Sequence, residues 1–257
     1  MEKNEKSAVV IGASGGIGKV LCSRLLSKGS RLLMGGRNEA SLAALASELT
    51  RTHPGAEVRV ACVDARNEAS VETFFAGAGE GGFDRVVNLA GSIVLKPAHL
   101  TSLQEWREAY EQNATSAFLV LRAAVKGFLS QGAASGNGSG SIVLVSSVAA
   151  QMGLSNHEAI AAAKGAVEGL IRASAATYAS RAIRVNGVAP GLVATPLSAR
   201  LTSNPASLKA STEMHPMKRI GAPEDVASAI DWLLDPSQSA WVTGQILGVD
   251  GGLSSLR

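Results

Sequence analysis

The chain of 257 residues is 46% hydrophobic and only 18% charged, a balance that suits a packed core with much buried backbone and argues against extensive disorder. Its formal net charge of +3 comes from basic residues scattered among acids, with Lys218-Arg219 the nearest approach to a run, which argues against a nucleic-acid interface. Glycine is in excess, 28 residues against a usual share of roughly 7%, whereas tyrosine occurs twice, at Tyr110 and Tyr178.

The opening Met1-Glu2-Lys3-Asn4-Glu5-Lys6 mixes both signs and leads into only four apolar residues, too few for the apolar core of a signal peptide. Those four, Ala8 to Ile11, are apolar on both faces and stop at Gly12, which predicts a buried first strand. Ile17, Val20, Leu21 and Leu25 then follow helical spacing, with Gly29 expected to close the helix. A second strand is expected over residues 31–34, followed by a helix carrying Leu42, Leu45 and Leu49 with Asn38 as its N-cap. Strand-like runs recur at 58–63, 85–89, 142–145 and 183–188, separated by long helical patterns, notably 103–129 and 156–179. Residues 131–141 form a Gly/Ser/Ala/Asn stretch, expected to be a flexible connector. A helix over 223–234 precedes a last short strand at 245–249. Cys22 and Cys62 sit in apolar segments with no metal-binding spacing, and both are expected to be reduced core thiols.

Strand and helix alternate over the whole length without a repeat or a linker. The pattern predicts one α/β domain over residues 1–257, a Rossmann-type doubly wound parallel β-sheet of about seven strands with helices on both faces. No stretch approaches the ~20 apolar residues of a membrane span, and the expected location is the cytoplasm.

Gly12-Ala13-Ser14-Gly15-Gly16-Ile17-Gly18 lies between the first strand and the first helix. Glycines there permit a tight turn, let a pyrophosphate approach the backbone and let the helix pack closely, while the helix N-terminus offers N–H groups to phosphate. This position points to dinucleotide binding. The nucleotide type is read at the end of the second strand, where an acidic residue would hold the ribose 2′-hydroxyl of NAD. Here the chain has Gly35-Gly36-Arg37-Asn38. Arg37 is a bidentate donor suited to a 2′-phosphate, unless it is a solvated loop charge and Glu39 serves the ribose. Glu39 fits the first turn of the next helix, so NADP(H) is favoured over NAD(H).

These residues resemble the short-chain dehydrogenase/reductase family, and the match runs from about residue 7 to residue 254. The family's glycine motif corresponds to Gly12, Gly16 and Gly18, with Ser14, Gly15 and Ile17 in the same turn. Asp64, followed by Ala65, occupies the position that usually holds the adenine. Asn88-Leu89-Ala90-Gly91 looks like the Asn-Ala-Gly element after the fourth strand, and Asn113 falls where the family places an active-site asparagine. Val145-Ser146-Ser147 resembles the end of the fifth strand, with Ser147 in the catalytic position. Pro190-Gly191-Leu192-Val193-Ala194-Thr195-Pro196 matches the segment that binds the nicotinamide amide, and Pro190, Gly191, Val193 and Thr195 are its implied cofactor contacts. Val242-Thr243-Gly244-Gln245 and Val249-Asp250-Gly251-Gly252 match the C-terminal signature. The resemblance further implies a small-molecule substrate, a substrate-binding segment at 197–216, and a homo-oligomer, tetramer or dimer, that uses the helices over 103–129 and 156–179.

The family's active site expects Tyr-x-x-x-Lys, with the lysine at Lys164, where it would also hold the nicotinamide ribose. Four residues before Lys164 stands Ile160, which has no proton to give. General acid help is typically worth ~10²–10⁴ in rate. Tyr178 lies about 21 Å further along the same helix at ~1.5 Å per residue, and Tyr110 sits on a different helix, where core packing is its expected role. The remaining candidate is His157. Ser155-Asn156-His157-Glu158 reads as a capping box, which would place His157, Ile160 and Lys164 on one helical face. A direct acid role, a substrate contact and a solvated structural role are all open to His157. Two functions follow: an NADP(H)-dependent oxidoreductase with altered proton delivery, acting on a carbonyl, alcohol, imine or enone, or a catalytically silent NADP(H)-binding sensor or assembly protein.

Overall fold

The computed structural model describes residues 7–78, 82–135 and 139–256. The expectation for residues 1–6 and the middle of the 131–141 connector lie outside the described residues. The apolar runs form strands β1 (Ser7–Ile11), β2 (Arg31–Gly36), β3 (Val58–Cys62), β4 (Phe83–Asn88), β5 (Gly140–Val145), β6 (Ile183–Pro190) and β7 (Ile246–Val249). Neighbours pair in parallel in the order β3-β2-β1-β4-β5-β6-β7.

Alternation along β1 sorts the core into two layers, because successive side chains leave opposite faces of a strand. Val9 and Ile11 pack with α3 (Glu68–Ala76), α5 (Ser116–Ser135) and α6 (Glu158–Tyr178), through Val71, Phe74, Val120, Phe128 and Ile171. Ala8 and Val10 pack with α1 (Gly16–Ser27), α2 (Glu39–Thr52) and α9 (Pro223–Leu234), through Leu21, Leu25, Leu42, Ile230 and Leu233. Each such buried aliphatic side chain contributes about 1.5–3 kcal/mol relative to exposure. The strand order reverses between β1 and β4, and at such a point the loops beyond the strand ends diverge and leave a crevice.

Several local expectations hold in detail. Asn38 caps α2 by accepting from Ser41 N at 2.8 Å, and Gly29 beyond α1 has φ +78°. Three others are corrected. The helix expected over 103–129 is α4 (Leu103–Tyr110), a π-helical turn (Glu111–Thr115) and α5, which continues to Ser135, so the first part of the expected 131–141 connector is helix. Cys22 is buried, and burial pushes its thiol up to about 12, but Cys62 is exposed. β3 is an edge strand, and its outward residues are not core despite their apolar character. The helix expected from residue 156 begins at Glu158, because Asn156 takes a left-handed conformation, φ +63°, and ends a separate turn.

Candidate active site

The crevice at the β1/β4 reversal starts at the glycine turn. Gly12 has φ +83°, and a Cβ there would lie 3.0 Å from the Leu89 carbonyl carbon, so glycine lets the end of β1 press against the loop after β4. A Cβ on Gly18 would collide with the carbonyl oxygens of Gly12 and Ala13, which explains how α1 sits so close to the turn that precedes it. On the other side, a Cβ on Gly16 would meet the Thr195 side chain at 2.9 Å, so the turn touches the strap of residues 190–196 that follows β6. Gly12, Gly15, Gly16, Ile17 and Gly18 line one cleft, of about 210 Å³, together with Ala90, Gly91, Pro190, Gly191, Val193 and Thr195. The unpaired N–H groups of the first turn of α1 lie at this cleft.

A second cavity, of about 550 Å³, continues from the glycine turn towards β2 and β3 and is lined by Ser14, Arg37, Asn38, Asp64, Ala65 and Arg66. Arg37 is exposed at its rim and forms no hydrogen bond or salt bridge among the described residues. Glu39, the alternative ribose partner, is the first residue of α2 and does not line the cavity. Asp64 is not a free carboxylate. Arg66 grips it through Nε at 2.9 Å and Nη2 at 2.6 Å, and this pairing holds the carboxyl down to about 2. Sequence reasoning missed Arg66, which no motif marks.

Asn88, expected at the cofactor, lines neither cavity. It is buried beneath them, where Oδ1 accepts from Ala90 N at 3.0 Å and Nδ2 donates to Ser116 Oγ at 3.4 Å. It shapes the turn that carries Ala90 and Gly91 to the cleft.

At the other end of the cleft, Ser147, Lys164, Asn113 and Ile160 come together. Ser147 follows β5, and its Oγ accepts from Ala149 N at 3.2 Å, which leaves its hydroxyl hydrogen available to donate. Lys164 is 6% exposed, and its Nζ donates to Val145 O at 2.8 Å. Burial alone pushes its ammonium down to about 8. Asn113 sits in the π-helical turn, a distortion that recurs at functional sites, and is 1% exposed. Its Oδ1 accepts from Ser92 N at 3.2 Å and its Nδ2 donates to Ser92 Oγ at 3.1 Å and Ala109 O at 2.9 Å. Gly91 makes this convergence sterically feasible: a Cβ there would lie 2.9 Å from Asn113 Oδ1 and 3.5 Å from Lys164 Nζ. Ile160, one turn before Lys164 on α6, is buried and presents hydrocarbon to the same cleft.

His157 does not join this group. It occupies the N-cap position of α6 without a side-chain cap, and its Nδ1 lies 2.7 Å from Ser155 O. The expected capping box is absent, because Glu158 instead accepts from Ala98 N at 3.3 Å through Oε1. With the turn ending at Asn156, the His157 imidazole lies outside the cleft lining. Neither tyrosine reaches it: Tyr178, at the end of α6, packs against the core, and Tyr110 lies tilted against Trp106 with centroids 5.0 Å apart.

The 197–216 segment contains a 3-10 turn (Pro196–Ser198), α7 (Ala199–Thr202) and α8 (Pro205–Met214). Leu197 lines both cavities. Ser198, a further residue the sequence did not single out, is buried and ties the strap together. Its Oγ donates to Val193 O at 2.5 Å and accepts from Thr195 N at 3.0 Å.

Among the described residues no cluster of His, Cys, Asp and Glu could hold a metal ion, and no helix is long and apolar enough to cross a membrane. A family model described as enoyl-(acyl carrier protein) reductase matches residues 12–254. The chain is 34% identical over 251 residues to glucose 1-dehydrogenase of Gluconobacter oxydans strain 621H, with 97% of this chain and 92% of that one covered. It is also 34% identical over 256 residues to 3beta-hydroxysteroid dehydrogenase 1 of Eggerthella lenta, covering 97% and 94%. Among solved structures, actinorhodin polyketide ketoreductase with NADPH matches with a TM-score of 0.89 at 28% identity, covering 99% of this chain and 100% of that one.

Proposed function

The chain belongs to the short-chain dehydrogenase/reductase family, and on that premise we propose that it is an NADP(H)-dependent oxidoreductase whose proton does not come from a tyrosine. The substrate is a small carbonyl, alcohol, imine or enone. The observation that carries the reading is the convergence of Ser147, Lys164 and Asn113 at one end of a cleft whose other end is a glycine cradle.

The residues present fit a phosphorylated dinucleotide. The close approach at Gly12, Gly16 and Gly18 leaves backbone N–H groups to meet pyrophosphate, and Arg37, without a hydrogen bond or salt bridge among the described residues, can take a 2′-phosphate. Asp64 and Ala65 flank the adenine side, Lys164 serves the nicotinamide ribose, and residues 190–195 face the amide. When bound, the reduced dinucleotide supplies hydride. The chain's own part is to orient the acceptor and provide for its charge. Ser147 Oγ–H donates to the acceptor oxygen or nitrogen. Ile160 excludes water from the face where the family places a phenol and offers no proton. The remaining protonated group in the cleft lining is Lys164, with Asn113 and Ser92 beside it as partners for a relay through water. An acceptor that needs little acid help, such as an iminium or an enone, suits this arrangement as well as a ketone does.

The test is an NADPH titration followed by turnover with a panel of ketones, imines and enones. NADPH binding and oxidation by at least one class is expected, with the rate falling as the pH rises through about 8, where Lys164 loses its proton. Ile160 also favours a second reading, a catalytically silent NADP(H)-binding sensor or assembly protein. Tight NADPH binding with no turnover across the panel is the result that selects it. We further propose a homo-oligomer built on α4, α5 and α6. Leu103, Trp106 and Phe118 stand exposed on the first two of these, and light scattering in solution would show a monomer if the reading is wrong.

A further inference from the structure

His215 follows α8 and is 3% exposed, although it belongs to no motif. Both of its ring nitrogens are committed. Nδ1 lies 2.6 Å from Ser211 O in the last turn of α8. A carbonyl oxygen only accepts, so this contact assigns the proton to Nδ1. Nε2 is then the unprotonated nitrogen, and it accepts the N–H of Leu192 in the strap at 3.3 Å. Gly191 provides the space, since a Cβ there would lie 2.5 Å from Nε2. The strap also pairs through main chain with Gly221: Gly221 N donates to Leu192 O at 2.8 Å, and Ala194 N donates to Gly221 O at 2.9 Å.

We propose that His215 is a positioning residue that couples the 197–216 segment to the strap. One ring nitrogen binds the end of α8 and the other binds the backbone of Leu192, so the placement of the strap beside the glycine cradle depends on the placement of α8. Leu192, Val193 and Thr195 all line the cleft, and the strap touches Gly16 through Thr195. A shift of the imidazole is therefore felt where the dinucleotide would lie. The inference rests on the reading that the cleft binds NADP(H).

Three substitutions separate the two bonds. His215→Gln keeps an acceptor near the position of Nε2. His215→Asn keeps a donor near Nδ1 but offers nothing to Leu192. His215→Leu retains bulk and neither bond. A half-buried N–H that loses its partner is costly, so His215→Asn and His215→Leu are expected to weaken NADPH binding roughly tenfold by fluorescence titration. His215→Gln is expected to stay within about threefold of wild type in NADPH affinity and in kcat. Wild-type affinity in His215→Leu, or equal damage in His215→Gln and His215→Leu, would overturn the proposal, because packing alone would then account for the residue. Should His215→Leu fail to fold, Gly191→Ala carries the test. Its methyl group displaces Nε2 with the imidazole intact, and unchanged NADPH affinity would count against the coupling. Wild-type protein that does not bind NADPH overturns the cofactor reading and this inference with it. Wild-type binding with silent variants overturns this inference alone.

Discussion

Under the proposed function, recognition at one end of the cleft is made of backbone, and at the other it is made of single side chains. The glycine end works because Gly12, Gly16 and Gly18 leave no room for a Cβ against Leu89, Thr195 and the carbonyls of Gly12 and Ala13. Its ligand-facing groups are main-chain N–H donors, which any residue could supply if the turn could form. The reaction end depends on Ser147, Lys164 and Asn113, held by specific hydrogen bonds, and it can lose a function with one substitution while its shape is preserved. Residue 160 illustrates this: the isoleucine is buried one turn before Lys164 on α6, and it has no proton to give. A binding site written in backbone tolerates sequence change as long as geometry holds, whereas chemistry written in side chains does not.

The largest expected effect lies at the backbone end. Gly18→Val places a branched side chain against two carbonyl oxygens that cannot move without breaking the turn. NADPH binding should become undetectable by titration, with a stability loss on the order of 1–3 kcal/mol in a denaturant melt. Retained binding would mean that the turn is not the phosphate cradle. Next comes the reaction end, where Ile160→Tyr restores a phenol one turn before Lys164. Ketone reduction, measured as kcat/KM, should rise by ~10²–10⁴. Absence of any gain would show that the pocket has diverged beyond the missing donor. The smallest effect belongs to the rim, where Arg37 is solvated. Arg37→Ala should lower the NADPH over NADH preference by about 10- to 100-fold, the worth of a charge-assisted contact. An unaltered ratio of Kd values would assign the 2′-phosphate no partner at residue 37.

Much of this was legible from residues alone, for definable reasons. Parallel strands covered on both faces must be apolar throughout, so β1 and the cores of β4, β5 and β6 read directly as short apolar runs. Strand ends were less visible: Gly35 and Gly36 extend β2, and Gly140 opens β5, because glycine carries no burial signal while its backbone still pairs. Cys62 misled for the opposite reason, since an apolar residue on an edge strand can face solvent. The π-helical turn at Asn113 and the left-handed Asn156 are backbone events, and side-chain spacing does not record either. His157 was misplaced by that second event, and Asn88 proved to be a scaffold rather than a lining residue.

The sequence by itself determined the alternating parallel fold, the glycine-rich turn after β1, the isoleucine at residue 160 and the presence of two tyrosines only, because each depends on residue type and order along the chain. The tertiary structure alone decided that Lys164 is buried against Val145 O, that Arg66 occupies Asp64, and that Ser198 and His215 hold the strap. Those contacts join segments that are distant in the chain or lie in a loop without periodicity. Only packing in three dimensions sets which donor meets which acceptor there, and how much water remains to screen them.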